Sequence, residues 1–278
     1  MSDSGSGADA GDEPRRFAFG RNWVAFLERV DEQTIATARA SMVELLGRDD
    51  LSGHNFLDAG SGSGLFSLAA HQLGAGVISF DLDLDSVACT RELKRRFGGD
   101  DADWSIHEGS VLDGDFLRQL GTFDVVYSWG VLHHAGRLWD ALETVAGMVE
   151  PGGLLCVAIY NDQGFASRAW RRIKRLYNTL PAVLRPMILW TAALRIWGPT
   201  MIRDVLRGQP RRTWIDYPDV NRGMSPWRDL VDWVGGYPFE VATPERVIEF
   251  AANLGFDLVT LKDCGRGRGC NEFVFRSR

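Results

Sequence analysis

The chain has 278 residues, 45% of them hydrophobic and 11% aromatic, enough apolar material for one large domain or for a domain carrying an insertion. Its net charge of −6 argues against a general nucleic-acid footprint, although the charge is unevenly spread. Cys89, Cys156, Cys264 and Cys270 form no Cys-x-x-Cys pair and read as reduced thiols, and no metal site is expected.

In chain order, residues 1–14 are small, polar and acidic and read as a disordered tail. They lack the basic start and apolar core of a signal peptide, so a cytoplasmic location is expected. Residues 15–49 read as N-terminal cap helices. Within them FAFGRNWVAFL (17–27) is a helix covering a ligand, with Phe19, Asn22 and Trp23 facing inward. A Rossmann-like unit follows over 50–160. Phe56 and Leu57 end a buried strand, Asp58 precedes Gly60, Gly62 and Gly64 at alternate positions, and LFSLAAHQL continues as an amphipathic helix. Such a strand–turn–helix brings backbone N–H groups and a helix N-terminus against a ligand. The dinucleotide spacing is G-x-G-x-x-G; here the third glycine comes one residue early.

Further strands are expected at 77–81, 104–110, 123–129 and 153–160, with helices at 85–97 and 139–149, the second stopped by Pro151-Gly152-Gly153. Residues 161–242 read as an insertion on the acceptor side. TPERVIEFAANLGF (243–256) is a helix with a Thr cap and Pro at its first position. Two last strands, 257–264 and 271–278, are joined by GRGRG, too short for a parallel crossover. The expected fold is therefore α/β, a doubly wound sheet of five parallel strands closed by an antiparallel C-terminal hairpin.

The Asp-x-Gly-x-Gly-x-Gly run resembles motif I of the class I S-adenosylmethionine-dependent methyltransferases, whose strand plan is the same. The resemblance implies S-adenosylmethionine as cofactor. It places Asp58 near the ligand's ammonium group and Gly60, Ser61, Gly62 and Gly64 under its methionine part. Asp81, ending the second strand with Leu82 beside it, falls where the family binds ribose hydroxyls; Asp83 and Asp85 compete for that role. Ser110 and Val111 occupy the segment that contacts adenine, although many members carry Asp where Ser110 stands. Ser128 opens the stretch SWGVLHH, which resembles the small-molecule branch, quinone-precursor methylases included, and passes beside the methionine end and the acceptor.

Methylating a hydroxyl or a weakly acidic carbon needs a base, and His133 or His134, titrating near 6–7, is the best placed; Asp162 is a second candidate. No Asn/Asp-Pro-Pro-aromatic motif follows the fourth strand and no Pro-Cys pair occurs, which disfavours methylation of nucleic-acid bases. Within the insertion, eleven basic residues between Arg168 and Arg212 face one acid, Asp204, among tryptophans and apolar residues at helical spacing. The expected reading is a lid over an acceptor that can be anionic, with membrane-surface contact or nucleic acid as alternatives. Residues 222–245, rich in Gly, Pro and Trp, are expected to close one wall of the pocket, and the phrases IYNDQG, DWVGGYPFE and GCNEFVF resemble bacterial methyltransferases. The expected function is methyl transfer to a small-molecule acceptor in a biosynthetic pathway (secondary-metabolite, sugar or quinone-like). An RNA-modifying enzyme and a non-methylating cofactor-binding protein are the alternatives.

Overall fold

The computed structural model describes residues 17, 19–99, 103–217, 225–265, 267 and 269–278. The expected acidic tail lies outside the described residues, as does the side chain of Asn22.

Seven strands form one sheet: β1 (Asn55–Ala59), β2 (Gly76–Asp81), β3 (Trp104–Glu108), β4 (Phe123–Trp129), β5 (Val149–Tyr160), β6 (Phe256–Lys262) and β7 (Cys270–Ser277). Their order is β3-β2-β1-β4-β5-β7-β6; the first five are mutually parallel and β7 runs antiparallel to both neighbours. The doubly wound sheet with its antiparallel closing pair is the expected architecture. Strand order reverses between β1 and β4, so a crevice opens beyond their carboxyl ends, where this sheet type binds ligands.

Apolar residues alternate across the sheet because successive strand side chains point to opposite faces. Phe56, Val125, Tyr127, Leu154 and Val274 join one core with the helices α2 (Glu32–Leu46), α3 (Leu65–Gln72) and α4 (Leu84–Leu93). Their neighbours Leu57, Val126, Leu155 and Phe273 join the other, with α6 (Leu138–Ala146) and α11 (Pro244–Asn253). The remaining core-side helices are α1 (Gly20–Leu27) and α5 (Gly114–Leu120). At α11 the Thr243 hydroxyl accepts from the Arg246 N–H, the cap that the sequence foreshadows.

Of the boundaries that differ from expectation, two have a clear local cause. The fifth strand starts at Val149 instead of 153: Phe123 pairs with Val149, the ladder shifts around Pro151–Gly153, and pairing resumes at Val125 with Leu154. A bulge thus absorbs the Pro-Gly-Gly run that reads as a stop. The third strand ends at Glu108, because Gly109 turns away against Phe116, whose ring a Cβ would meet at 2.1 Å.

The insertion is helical, with α7 (Phe165–Thr179), α8 (Arg185–Leu206), α9 (Arg212–Ile215) and α10 (Pro226–Gly235). Tyr177, Leu189, Ala192, Trp197, Leu230 and Val234 give it a small core of its own, distinct from the two that sandwich the sheet.

Candidate active site

A cavity of about 590 Å³ lies at the sheet's switch point, within the range of small-ligand sites. Its walls come from the glycine turn, the exits of β2, β3 and β4, helix α1 and a distant segment, Tyr237–Pro238.

The glycine turn forms the floor. Gly60 and Gly64 have φ of 91° and 80°, a region that side chains disfavour. A Cβ at Gly60 would meet the γ carbons of Val131 at 2.5 Å, and one at Gly64 would meet the Thr90 backbone at 2.9 Å. Above Gly62 lies the indole of Trp23, so α1 covers the turn. Carboxylates then tie the walls together. Asp81 accepts from the N–H groups of Gly62 and Asp83, each at 2.9 Å. Asp83 accepts in turn from Gly20, at the start of α1, and from Asp85, at the start of α4. One chain of hydrogen bonds therefore sets the turn, the end of β2 and the covering helix in mutual register. Asp83 serves as a cap for two helices. Asp81 keeps about two of a carboxylate's four acceptor positions for a ligand, although burial pushes its pKa up.

Asp58 lies behind this surface, 2% exposed. It accepts from Ser67 at 2.5 Å, Ser67 from Ser79 at 2.8 Å, and Ser79 from the Trp104 indole at 2.8 Å. Burial pushes Asp58 up to about 7. It supports the turn from beneath.

The two adjacent histidines separate. His133 is fully enclosed and forms no part of the cavity wall; its Nδ1 accepts from the Tyr160 N–H at 3.3 Å, and its ring packs on Tyr160 at 3.9 Å. His134 lines the cavity. Its Nδ1–H donates to the Pro238 carbonyl at 2.6 Å, which fixes the tautomer and leaves Nε2 as an acceptor. Phe19 packs on its ring at 4.9 Å. Burial, assisted by the nearby Lys174 charge, pushes His134 down to about 3, so the expected titration near 6–7 is corrected: the imidazole stays neutral throughout that range.

Of the other expected residues, Phe19, Trp23, Gly60, Gly62, Asp81, Leu82, Ser110 and Val111 line the cavity together. Asp58, Ser61, Gly64 and Ser128 do not. Ser61 meets the Thr90 hydroxyl at 3.0 Å, and Ser128 donates to the Ala59 carbonyl at 2.8 Å, fastening β4 to β1 at the switch point. Asp162 is exposed and outside the wall, its carboxylate accepting from the Gly164 N–H at 2.8 Å; this corrects its placement as a candidate base. The wall also includes Phe17, Glu108, Trp129, Tyr237 and Pro238. Phe17 and Tyr237 meet through a backbone hydrogen bond of 3.0 Å, a contact across more than two hundred residues that no local pattern announces. Trp129 ends the strand from which SWGVLHH departs, and its place beyond a parallel strand was the available signal.

Among the described residues no group of His, Cys, Asp and Glu has the arrangement of a metal site.

Comparison with known proteins agrees with this geometry. A family described as "Methyltransferase domain" matches residues 57–157. The chain is 36% identical over 121 residues to a tRNA U34 carboxymethyltransferase of Methylococcus capsulatus, covering 42% of this chain and 36% of that protein. It is 30% identical over 141 residues to a ubiquinone biosynthesis O-methyltransferase of Rhizobium rhizogenes, covering 49% and 54%. The chain thus spans about half or less of the length of these curated relatives. Magnesium protoporphyrin IX methyltransferase from Synechocystis PCC 6803, solved with bound SAH, superposes with a TM-score of 0.56 at 12% identity, over 93% of this chain and 94% of that one. The glycine turn, the capped acids at the end of β2 and the strand order all fall within or around the matched residues, and the chain carries a class I S-adenosylmethionine-dependent methyltransferase domain.

Proposed function

We propose that the protein transfers a methyl group from S-adenosylmethionine to a small-molecule acceptor. The observation that carries this reading is the 590 Å³ cavity in which the glycine turn, the Asp81 carboxylate and His134 converge. The residues present suit such a ligand. Gly60 and Gly62 line the floor without side chains, where the methionine part would lie, and Asp81 has acceptor positions for ribose hydroxyls. Ser110 and Val111 line the adenine end; the Ser110 hydroxyl accepts from the Leu112 N–H at 3.2 Å and keeps its own O–H and one lone pair for the base. Phe19 and Trp23 cover the site from α1.

When bound, the cofactor supplies a methyl group activated by sulfonium, displaced in line. The chain's own part is to orient the acceptor and receive its proton. Holding two reactants in line can supply about 7–11 kcal/mol of the barrier. Nε2 of His134 accepts a hydrogen bond from an acceptor hydroxyl at the cavity wall. Its basicity is low, yet an alkylated hydroxyl oxygen is a far stronger acid than any imidazolium and loses its proton to it. The reading places the enzyme in a biosynthetic pathway, with a secondary-metabolite, sugar or quinone-like acceptor, in the cytoplasm.

The test is turnover with labelled S-adenosylmethionine against panels of hydroxyl, amine and thiol acceptors. S-adenosylhomocysteine should form with a hydroxyl acceptor and depend on His134. Turnover on RNA alone would overturn the small-molecule acceptor.

A further inference from the structure

We propose that Lys174, with Arg171 and Asn178 beside it, is a positioning residue for His134, acting through the segment from Trp233 to Phe239. Residues 171, 174 and 178 stand three and four apart, so α7 presents them on one face. Each donates to a backbone carbonyl of that segment. Arg171 Nε reaches Phe239 at 3.0 Å, Lys174 Nζ reaches Trp233, and Asn178 Nδ2 reaches Gly235 at 2.7 Å. The carbonyls of Tyr237 and Pro238 serve the site instead. Tyr237 accepts from the Phe17 N–H at 3.0 Å, and Pro238 accepts from Nδ1–H of His134 at 2.6 Å. The segment is thus held by α7 on one side and holds the cavity wall on the other.

Its own backbone would not hold that path. A Cβ at Gly235 would meet the Phe17 ring at 2.2 Å, and one at Gly236 would meet His134 Cε1 at 3.0 Å and Phe19 Cζ at 3.2 Å. Glycines that permit so close an approach also leave the chain free to move, so its course depends on outside contacts. Lys174 supplies the central one. Its ammonium lies 4.5 Å over the Trp233 ring and 4.6 Å over Phe239, the two ends of the segment, and 6.0 Å over Tyr160. Tyr160 packs in turn on His133 at 3.9 Å and on His134 at 5.4 Å. A methionine or leucine would fill this space without the cost of burying a charge. Neither could bond the carbonyl or be attracted to three ring faces. The cation therefore draws both ends of the segment onto the end of β5, where the histidine pair packs.

The consequence for turnover rests on the reading of this cavity as the methyl donor's site; the tautomer of His134 does not, and the experiment reads both. The full chain, with five histidines, is labelled with 15N-histidine, and the His134 signal in long-range 1H–15N spectra is identified by its loss in His134→Ala. Wild type at neutral pH should show the Nδ1–H tautomer alone. Lys174→Met should populate the Nε2–H form, and so should Asn178→Ala, a milder change that serves if circular dichroism shows Lys174→Met unfolded. Turnover on a hydroxyl acceptor should fall roughly tenfold to hundredfold in Lys174→Met. The same substitution made in His134→Ala should cost less than about twofold more, because both act through one group. An unchanged His134 tautomer in the folded variants would overturn the proposal. So would a Lys174→Met loss that persists in full in His134→Ala, the mark of a merely structural role. Wild-type protein that turns over no acceptor would refute the donor-site reading alone, and the spectra would still decide the positioning.

Discussion

The sheet core and the helical insertion each enclose an ionisable side chain, and they do so with opposite consequences. In the core, Asp58 is held by the Ser67–Ser79–Trp104 chain of hydrogen bonds and pushed up to about 7 by burial. In the insertion, Lys174 is fully buried, donates to the Trp233 carbonyl, and sits 4.5 Å over the Trp233 ring and 4.6 Å over Phe239. Burial pushes it down to about 7, outweighing the Asp232 charge that acts the other way. The core surrounds its buried group with hydroxyls and a fixed backbone, as a preorganised polar site requires. The insertion surrounds its own with aromatic faces and a single carbonyl, a packing solution that leaves the outer side of the domain apolar. One region encloses its ionisable group in a hydrogen-bonded network, the other in aromatic rings.

His134 stands where the two regions touch, its ring fixed by a carbonyl of the 226–240 segment. If it receives the acceptor's proton, His134→Ala should lower turnover on a hydroxyl acceptor by about 10²–10⁴ while cofactor affinity stays nearly constant. Because burial holds the imidazole near 3, wild-type turnover should show no histidine limb near pH 6–7. A limb at that pH, lost in the variant, would mean that His134 is solvated and the junction open.

Gly60→Ala sharpens the contrast between backbone and packing. Its φ of 91° and the 2.5 Å approach to Val131 predict a cost of about 1–3 kcal/mol, read as a lower melting temperature, together with weaker cofactor binding. Melting and affinity equal to wild type would show that the turn does not depend on that conformation.

The buried pair predicts opposite slopes of stability with pH. The folded chain holds a proton on Asp58 that the unfolded chain has lost between about pH 4 and 7, so this group makes stability fall as pH rises there. Lys174 is the reverse: above about pH 7 the folded chain has released a proton that the unfolded chain keeps up to the ordinary lysine value of 10.5, so stability rises across that window. Asp58→Asn should remove the fall, and Lys174→Met the rise, in melting temperatures measured from pH 4 to 10. Variant curves parallel to wild type would contradict the burial of these charges. Smallest of all, Leu194→Glu should leave S-adenosylhomocysteine affinity within about twofold, since distant surface sites are independent.

Much of the core was legible because its signals are local. The alternate glycines, Asp81 at the end of a short apolar run, and Trp23 four residues after Phe19 all report their own environment within a few positions. Adjacent residues in a tight turn are a different matter. His133 and His134 sit in the short 3-10 turn Leu132–His134, and sequence has no means of telling which imidazole turns inward. Asp162 reads as a candidate because it follows a strand, yet its carboxylate is used by the Gly164 turn. The stretch 222–245 reads as a wall of the pocket, yet Phe17, Tyr237 and Pro238 are not singled out within the sequence, because they meet only through tertiary packing. The Pro151–Gly153 run misled for the converse reason: a bulge tolerates residues that ordinarily end a strand.

The claim on which the rest depends is that this cavity is the methyl donor's site. Isothermal titration of S-adenosylhomocysteine into the wild type and into Asp81→Ala tests it most directly. Charge-assisted hydrogen bonds to a carboxylate contribute about 1.5–3 kcal/mol each, so the variant should bind at least about tenfold more weakly. Part of that loss will come from the released Gly62 N–H, which Asp81→Asn should partly restore. Wild-type protein that binds no S-adenosylhomocysteine, or an Asp81→Ala variant that binds it as tightly as wild type, would contradict the account.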